Sequence, residues 1–215
     1  MMNELLFHNA DDVPLSGRPL LITDADEVIF LFVEGFSNFL AERALQLDLS
    51  TYRLHGNVKN RDGIAVADPE VTELLIEFRR VTDSLTCVEG ARESLARLSQ
   101  RMDIVVLSNV TRAQAPARIR NLAQHGLHYP LVTNGGMKGP AVKQLAARSG
   151  HPVFFVDDIP QQLASAAEEA PDVFRIHMIG DERLKPLLPP APHAHLRADT
   201  WSDVEAFVFS HLTET

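Results

Sequence analysis

The sequence predicts an α/β protein with a doubly wound parallel sheet and a small α-helical insertion, and three observations lead to this fold class. Short, continuously apolar segments alternate with segments of helical periodicity, as in sheets covered by helices on both faces. Several of the apolar segments end in polar or charged residues. Residues 31–85 interrupt the alternation after the first strand with helical patterns alone. We therefore predict a core from residues 1–30 and 86–215, with 31–85 as a helical cap.

Composition bounds the possible partners and the compartment. The chain has 215 residues, which allows one substantial domain or one domain with a small accessory. Its 45% apolar and 23% charged residues are typical of a globular protein. A net charge of −9 argues against nucleic acid or an anionic membrane as a partner, although a phosphate ligand needs only local positive charge. Cys87 is the single cysteine, residues 1–12 lack a signal-peptide pattern, and no apolar run could span a bilayer. We expect a cytoplasmic protein; its oligomeric state is not indicated.

The first half of the chain contains the first strand and the insertion. Phe32, Phe36 and Phe39 share one helical face, and Asp68 with Pro69 has the composition of a helix N-terminus. The predicted elements are a loose lead-in over 1–18, a strand over 20–22, a helix over 31–47, a loop over 48–67 and a helix from 68.

The second half alternates regularly between helices and strands, which indicates successive parallel strands joined by helical crossovers. Thr111 and Gln114 have capping-box spacing, with Pro116 in the first turn. The predicted helices cover 90–101, 111–125, 139–148, a segment from 160 and a segment from 202; the predicted strands cover 104–107, 131–133, 153–156, 173–178 and a segment near 196.

Polar side chains stand where three of the strands end and in one loop on the same side. In parallel sheets, ligands bind at the carboxyl ends of the strands, so these residues are expected to converge. A buried sheet does not itself need polar groups there, and we interpret the set as a functional site. Its members are Asp24 and Asp26, Ser108 and Asn109, Asp157 and Asp158, and Lys138.

The order of these groups along the chain resembles the order of the sequence motifs in the haloacid dehalogenase-like (HAD) hydrolase superfamily. Its four motifs match residues 24–28, 105–109, Lys138 and 155–158; with the apolar strand before the first motif they span residues 20–158. The resemblance implies a Rossmann-like core, with residues 31–85 as the small helical cap that many members insert after the first motif. A phosphorelay receiver domain also combines acids, a hydroxyl and a lysine around Mg²⁺. It normally presents an acidic pair before its phosphoacceptor and has no inserted helical pair, so the order of groups in this sequence does not fit a receiver domain.

The resemblance implies a Mg²⁺-dependent phosphohydrolase that acts on a small phosphorylated metabolite. Asp24 would attack phosphorus and form an aspartyl-phosphate, while Asp26 would act as general acid and base. Mg²⁺ would be held by the Asp24 carboxylate, the Asp26 carbonyl oxygen and Asp157 or Asp158; which of the last two ligates directly is left open. Members that cleave carbon–halogen bonds lack the second acid of the first motif, so Asp26 favours a phosphatase.

The same resemblance assigns the remaining site residues. Ser108, Asn109 and nearby backbone N–H groups would bind phosphoryl oxygens, and Lys138 would neutralise developing charge, with Lys143 a weaker candidate. The alternatives are a HAD-like domain with weak or no turnover that binds a phosphorylated ligand or a protein, and a phosphotransferase.

Two residue groups near these motifs are open to interpretation. Lys59 and Arg61 lie in a basic, polar part of the insertion, and we hypothesise that one of them binds a second anionic group of the substrate. Glu27 either faces solvent or narrows the mouth of the site. The substrate itself is not indicated by the sequence.

Overall fold

The computed structural model describes residues 7–212, and a seven-stranded sheet in which all strands are parallel forms its centre. The strands are β1 (Phe7–His8), β2 (Leu20–Thr23), β5 (Asp103–Ser108), β6 (Leu131–Thr133), β7 (Val153–Asp157), β8 (Phe174–Met178) and β9 (Leu196–Ala198). Their spatial order is β1-β6-β5-β2-β7-β8-β9, so the predicted doubly wound α/β fold is confirmed.

Seven α-helices accompany the sheet in the described part of the chain. Those that follow β5, β6 and β7 begin shortly after the strands end, which brings helix N-termini to the same edge as the polar residues. The helices are α1 (Phe32–Ala41), α2 (Asp68–Phe78), α3 (Ala91–Leu98), α4 (Ala115–Gln124), α5 (Gly139–Ala146), α6 (Pro160–Glu169) and α7 (Trp201–His211). None of the helices in residues 7–212 is long and apolar enough to cross a membrane.

Strand β2 lies in the middle of the sheet, and its position explains the continuous apolar run in its sequence. Leu20, Leu21 and Ile22 are fully buried, because helices cover both faces and neighbouring strands cover both edges. Thr23 is in register with Val106 of β5 and Val156 of β7. The carboxyl ends of these three strands therefore lie side by side.

The insertion contains more than the two predicted helices. Helix α1 ends at Ala41, short of the predicted residue 47, because the chain reverses and residues Gln46–Leu47 form strand β3. Strand β3 pairs antiparallel with β4 (Val58–Lys59), inside the segment predicted to be a loop. The apolar faces of α1 and α2 join the cluster that packs on the sheet, and the division into a core and a cap stays a prediction.

Three smaller predictions need correction. The lead-in over 1–18 contains β1, which pairs with β6, while its residues 1–6 lie outside the described part. Asp68 is the first residue of α2 and makes no side-chain cap. The side chain of Gln114 does accept the Thr111 N–H at 2.9 Å, but α4 begins only at Ala115, so the helix start predicted at Thr111 is wrong.

Candidate active site

Three of the predicted carboxyl groups converge at the carboxyl edge of the sheet. One oxygen from each of Asp24, Asp157 and Asp158 lies within 4.8 Å of the others. The backbone N–H of Asp24 donates to the carbonyl of Val156 at 2.9 Å, which ties the end of β2 to β7. The in-register ends of two adjacent parallel strands thus bring together acids that are 133 positions apart in the sequence.

Lys138 stands inside this cluster and is 1% exposed. Its Nζ lies 2.8 Å from Asp24 Oδ1 and 2.8 Å from Asp157 Oδ2. Gln162 of α6 accepts the backbone N–H of Lys138 at 2.8 Å, and fixes the start of α5. Gly139 is required next to it, since a Cβ there would lie 2.3 Å from the carbonyl oxygen of Ser165 on α6. Lys138 is therefore the lysine at the site, and the alternative, Lys143, instead forms a surface ion pair with Glu169.

The protonation states follow from burial and charge. Burial raises the pKa of Asp24 to about 7 and the pKa of Asp158 well above its usual range. Burial also raises the pKa of Asp157, against the opposing effect of Lys138. Burial would lower the pKa of Lys138, but Asp157 and Asp24 raise it above its usual value. One ammonium group is thus shared by three clustered carboxyl groups whose protonated forms are favoured by burial.

A divalent cation fits this donor set. Three clustered carboxylates at less than 4.8 Å provide hard oxygen ligands, and a bound cation would favour their ionised forms. The carbonyl oxygen of Asp26, the fourth predicted ligand, accepts no backbone hydrogen bond from the described residues. The residues that would hold the ion are therefore Asp24, Asp157 and Asp158, with the carbonyl of Asp26 as the predicted fourth.

Asp26 lies at the same cavity as Asp24, and its side chain is 22% exposed. Its Oδ1 accepts from Arg118 Nη2, whereas Oδ2 has no partner among the described residues. Arg118 comes from α4, is 1% exposed and lies 5.4 Å from the centroid of the Phe30 ring. The arginine holds one carboxylate oxygen and leaves the other available to a ligand.

The two residues predicted from the second motif occupy different places. Ser108 is buried and is not part of the cavity wall, and its Oγ has no hydrogen-bond partner among the described residues. Asn109 lines the cavity, but its side chain donates to the carbonyl of Gly136 at 3.0 Å and accepts from Asn134 at 2.7 Å. The Asn109 amide therefore stabilises the neighbouring loop, and Ser108 Oγ is the group with free hydrogen-bonding capacity.

The cavity beside these residues has a volume of about 290 Å³ and extends from Asp24 and Lys138 to the insertion. Tyr52 from the insertion donates its hydroxyl to Asp158 Oδ2, and burial together with Asp158 raises the pKa of that hydroxyl. Glu27, whose position was open, is buried: its Oε1 accepts the Val33 N–H at 2.6 Å, and burial raises its pKa to about 8. Glu27 therefore joins the strand end to α1.

The structure does not bring Lys59 or Arg61 to the cavity. Lys59 follows Val58 in the β3–β4 hairpin, where its Nζ forms an ion pair with Asp48. Arg61 is exposed in the turn after β4 and lies outside the cavity wall. The predicted contact between these two residues and a substrate is therefore not supported, and two other arginines of the insertion occupy the wall instead.

Three residues near the site were not identified from the sequence. Arg118 and Gln162 belong to helices whose periodicity indicates burial of a face but not a contact at the strand ends. His177 of β8 is fully buried, and its Nε2 lies 2.9 Å from the Asp158 carbonyl oxygen. Its Nδ1 accepts the Ala191 N–H at 3.0 Å, which places the proton on Nε2 and makes Nε2 the donor to Asp158. No local sequence pattern marks these residues, because their contacts are all long-range.

We expect Lys138→Met to lower the free energy of unfolding by about 3–5 kcal/mol in metal-free buffer, since it leaves buried carboxyl groups without their cation. Urea unfolding, monitored by circular dichroism, measures this change in free energy. Lys143→Met is the matched control: its exposed ion pair contributes at most about 1 kcal/mol. Equal destabilisation by both substitutions would contradict a buried ion-pair network around Lys138.

No family model matches the chain, and no curated protein matches it either. Several solved structures do match the chain in fold. YfnB of Bacillus subtilis, a HAD-hydrolase candidate solved with bound magnesium, is 12% identical with a TM-score of 0.62, covering 89% of this chain and 98% of that one. A β-phosphoglucomutase candidate from Thermotoga maritima is 16% identical with a TM-score of 0.57, covering 90% and 100%. A dehalogenase is 12% identical with a TM-score of 0.61, covering 94% and 100%.

These neighbours share nearly their full length with this chain, but their activities differ and their sequences are distant. A likeness at such identities establishes the fold and nothing finer. The resemblance inferred from four ordered motifs is confirmed at that level: this chain has the haloacid dehalogenase-like fold.

Proposed function

We propose that this protein is a metal-dependent phosphohydrolase that acts on a small phosphorylated metabolite through an aspartyl-phosphate intermediate. The observation that carries the proposal is the pair of acids at one cavity. Asp24 and Asp26 both line it, and each keeps one carboxylate oxygen without a protein partner among residues 7–212. A phosphoryl transfer to water needs a nucleophile and a proton donor for the leaving oxygen, and these two groups supply them.

The residues divide the chemistry among them. Asp24 Oδ1 is held by the Ala25 N–H at 2.7 Å and by Lys138 at 2.8 Å, so that Oδ2 is the oxygen that attacks phosphorus. Asp26 Oδ2 gives a proton to the leaving alkoxide and then takes one from the water that hydrolyses the aspartyl-phosphate. Ser108 and Lys138 bind phosphoryl oxygens. Bound Mg²⁺, when held by Asp24, Asp157 and Asp158, supplies charge neutralisation between the anionic nucleophile and the phosphate.

The proposed substrate is a small molecule, and we place the protein in the cytoplasm without nucleic-acid or membrane partners. A cavity of about 290 Å³ lies at the lower end of the range for ligand pockets. The net charge of −9 disfavours polyanionic partners, and the single cysteine suits a reducing compartment. Fractionation of the source cells with an antibody to the chain tests the location.

A panel of small phosphate monoesters, assayed for phosphate release with Mg²⁺ and with EDTA, tests the function. We expect turnover that EDTA abolishes. Beryllium fluoride with Mg²⁺ should also bind, because it imitates a phosphoryl group on Asp24. At about 100 times its Kd, the complex would add ~2.7 kcal/mol and raise the melting temperature by about 5–10 °C.

The outcomes separate the proposal from its alternatives. Mg²⁺ or fluoride alone, and the Asp24→Asn protein with both, are the controls and should give smaller shifts in melting temperature. No turnover and no stabilisation by beryllium fluoride would favour a non-catalytic module. Transfer of phosphate to an added alcohol or sugar in preference to water would indicate a phosphotransferase.

A further inference from the structure

The lining of the cavity combines charged and apolar residues. At the sheet edge it is lined by Asp24, Asp26 and Lys138, where the phosphoryl group reacts under the proposed function. Six apolar residues also line the cavity, and they suit a short hydrocarbon or weakly polar organic part. The apolar lining consists of Phe32, Val33, Leu49, Leu54, Ile159 and Leu184.

Arg79 lies on the wall that the insertion provides. It directly follows α2, is half-buried, and its guanidinium carbon lies 5.5 Å from the centroid of the Phe32 ring. Its Nη1 makes one long contact of 3.4 Å with the carbonyl oxygen of Asn109. The Nε is buried without a hydrogen-bond partner, and no carboxylate of the described residues pairs with the group. A partly desolvated guanidinium in this state is stabilised by an anion.

Arg53 is the second cation on this wall. It lies in the loop between β3 and β4, at the mouth of the cavity, where its side chain is exposed. Within residues 7–212 its guanidinium makes neither a hydrogen bond nor an ion pair, whereas Lys59 in the same hairpin is paired with Asp48. Two unpaired guanidinium groups therefore face one cavity in a protein with a net charge of −9.

We propose that the substrate is a phosphate monoester whose short organic part ends in a carboxylate, which Arg79 and Arg53 bind at the wall that the insertion provides. This assignment rests on the proposed function, which places the phosphoryl group at Asp24. The planar guanidinium group binds a carboxylate through two parallel hydrogen bonds, and Arg79 keeps its Nε free for one of them. The small cavity favours a carboxylate over a bulkier second phosphate.

The test compares two esters that differ only at the far end, an alkyl phosphate and the ω-carboxyalkyl phosphate of equal chain length. We expect wild-type kcat/KM to favour the carboxylated ester by about tenfold or more, the effect of one charge-assisted hydrogen bond. Arg79→Gln should remove about tenfold more kcat/KM from the carboxylated ester than from the alkyl ester, chiefly through KM. Arg53→Gln should act in the same direction and less strongly, because this side chain is exposed.

Matched controls are available beside each arginine. Arg80→Gln removes a charge from the next position, and Arg61→Gln removes one from the same insertion; neither residue lines the cavity. Both variants should keep the wild-type preference within about twofold. Arg79→Lys keeps the positive charge but lacks the two parallel N–H donors of the guanidinium group. This variant should therefore recover only part of the preference for the carboxylated ester. Equal loss on both esters, or equal effects of Arg79→Gln and Arg80→Gln, would overturn the proposal.

A binding measurement separates this inference from the proposed function. Calorimetry with an alkylphosphonate and the matching ω-carboxyalkylphosphonate, with Mg²⁺, needs no turnover. Suppose that no ester is hydrolysed, but that wild type binds the carboxylated phosphonate about tenfold tighter than the alkylphosphonate, and Arg79→Gln does not. The phosphohydrolase proposal would then fail, while the proposed carboxylate site would be supported. Equal binding of both phosphonates overturns the carboxylate site. Tighter binding of a bisphosphonate of the same length also overturns it, in favour of a second phosphate.

Discussion

Asp24→Asn should lower the turnover of every phosphate monoester by more than about 10³-fold, because the neutral amide oxygen is a much poorer nucleophile than the carboxylate. Asp24 is 7% exposed, and its Oδ1 is held by two donors, so that the amide keeps the shape of the side chain but not its charge. Steady-state phosphate release with saturating Mg²⁺ measures the loss.

The control for this substitution is Asp103→Asn, the same chemical change at the edge of the sheet where the strands begin. Asp103 begins β5, and its carboxylate pairs with Arg18 at 3.0 Å. Losing that pair should cost some stability and leave kcat/KM within about threefold of wild type, since the group is remote from the cavity. If Asp24→Asn folded normally and turned over substrate at the wild-type rate, Asp24 would not be the nucleophile.

Asp26→Asn should lose about 10²–10⁴-fold in turnover, the usual contribution of general acid–base catalysis. The size of the loss in the first step should depend on the leaving group. An alkyl alkoxide needs a proton from Asp26, whereas para-nitrophenolate leaves without one. Arg118 would still donate to the amide oxygen that replaces Oδ1, so the substitution removes the acid while keeping the contact that orients it.

The two esters therefore give different signatures with Asp26→Asn. With para-nitrophenyl phosphate, the first step proceeds and the second lacks its base, so a burst of para-nitrophenolate and a phosphorylated protein should appear. Rapid-quench kinetics and intact-protein mass spectrometry detect both. An equal loss for alkyl and aryl esters, without a burst, would mean that Asp26 only positions its neighbours.

The approximate order of the main helices and six of the seven sheet strands could be predicted because each depends on local pattern. Segments such as Leu20–Thr23 and Val153–Asp157 are continuously apolar, since neighbouring strands and helices cover them on every side. The carboxyl ends of parallel strands lie at one edge, so convergence of Asp24, Asp157 and Lys138 also followed from their order along the chain.

The two-residue strands could not be predicted. Two residues contain no periodicity, and β1, β3 and β4 exist only because a partner strand lies beside each of them. Helix α1 was predicted too long for the same reason: the residues beyond Ala41 still read as helical, but pairing of β3 with β4 takes them out of the helix.

The sequence by itself determined six strands of the sheet, its motif-bearing edge and the motif residues of the site, because hydrophobic period and strand polarity are local properties. Tertiary structure alone decided which cations of the insertion line the cavity. Arg53 and Lys59 lie six positions apart in one polar segment, yet the hairpin directs Lys59 to Asp48 and leaves Arg53 at the cavity. A side chain's destination is set by the packing of distant segments, and no local pattern encodes it.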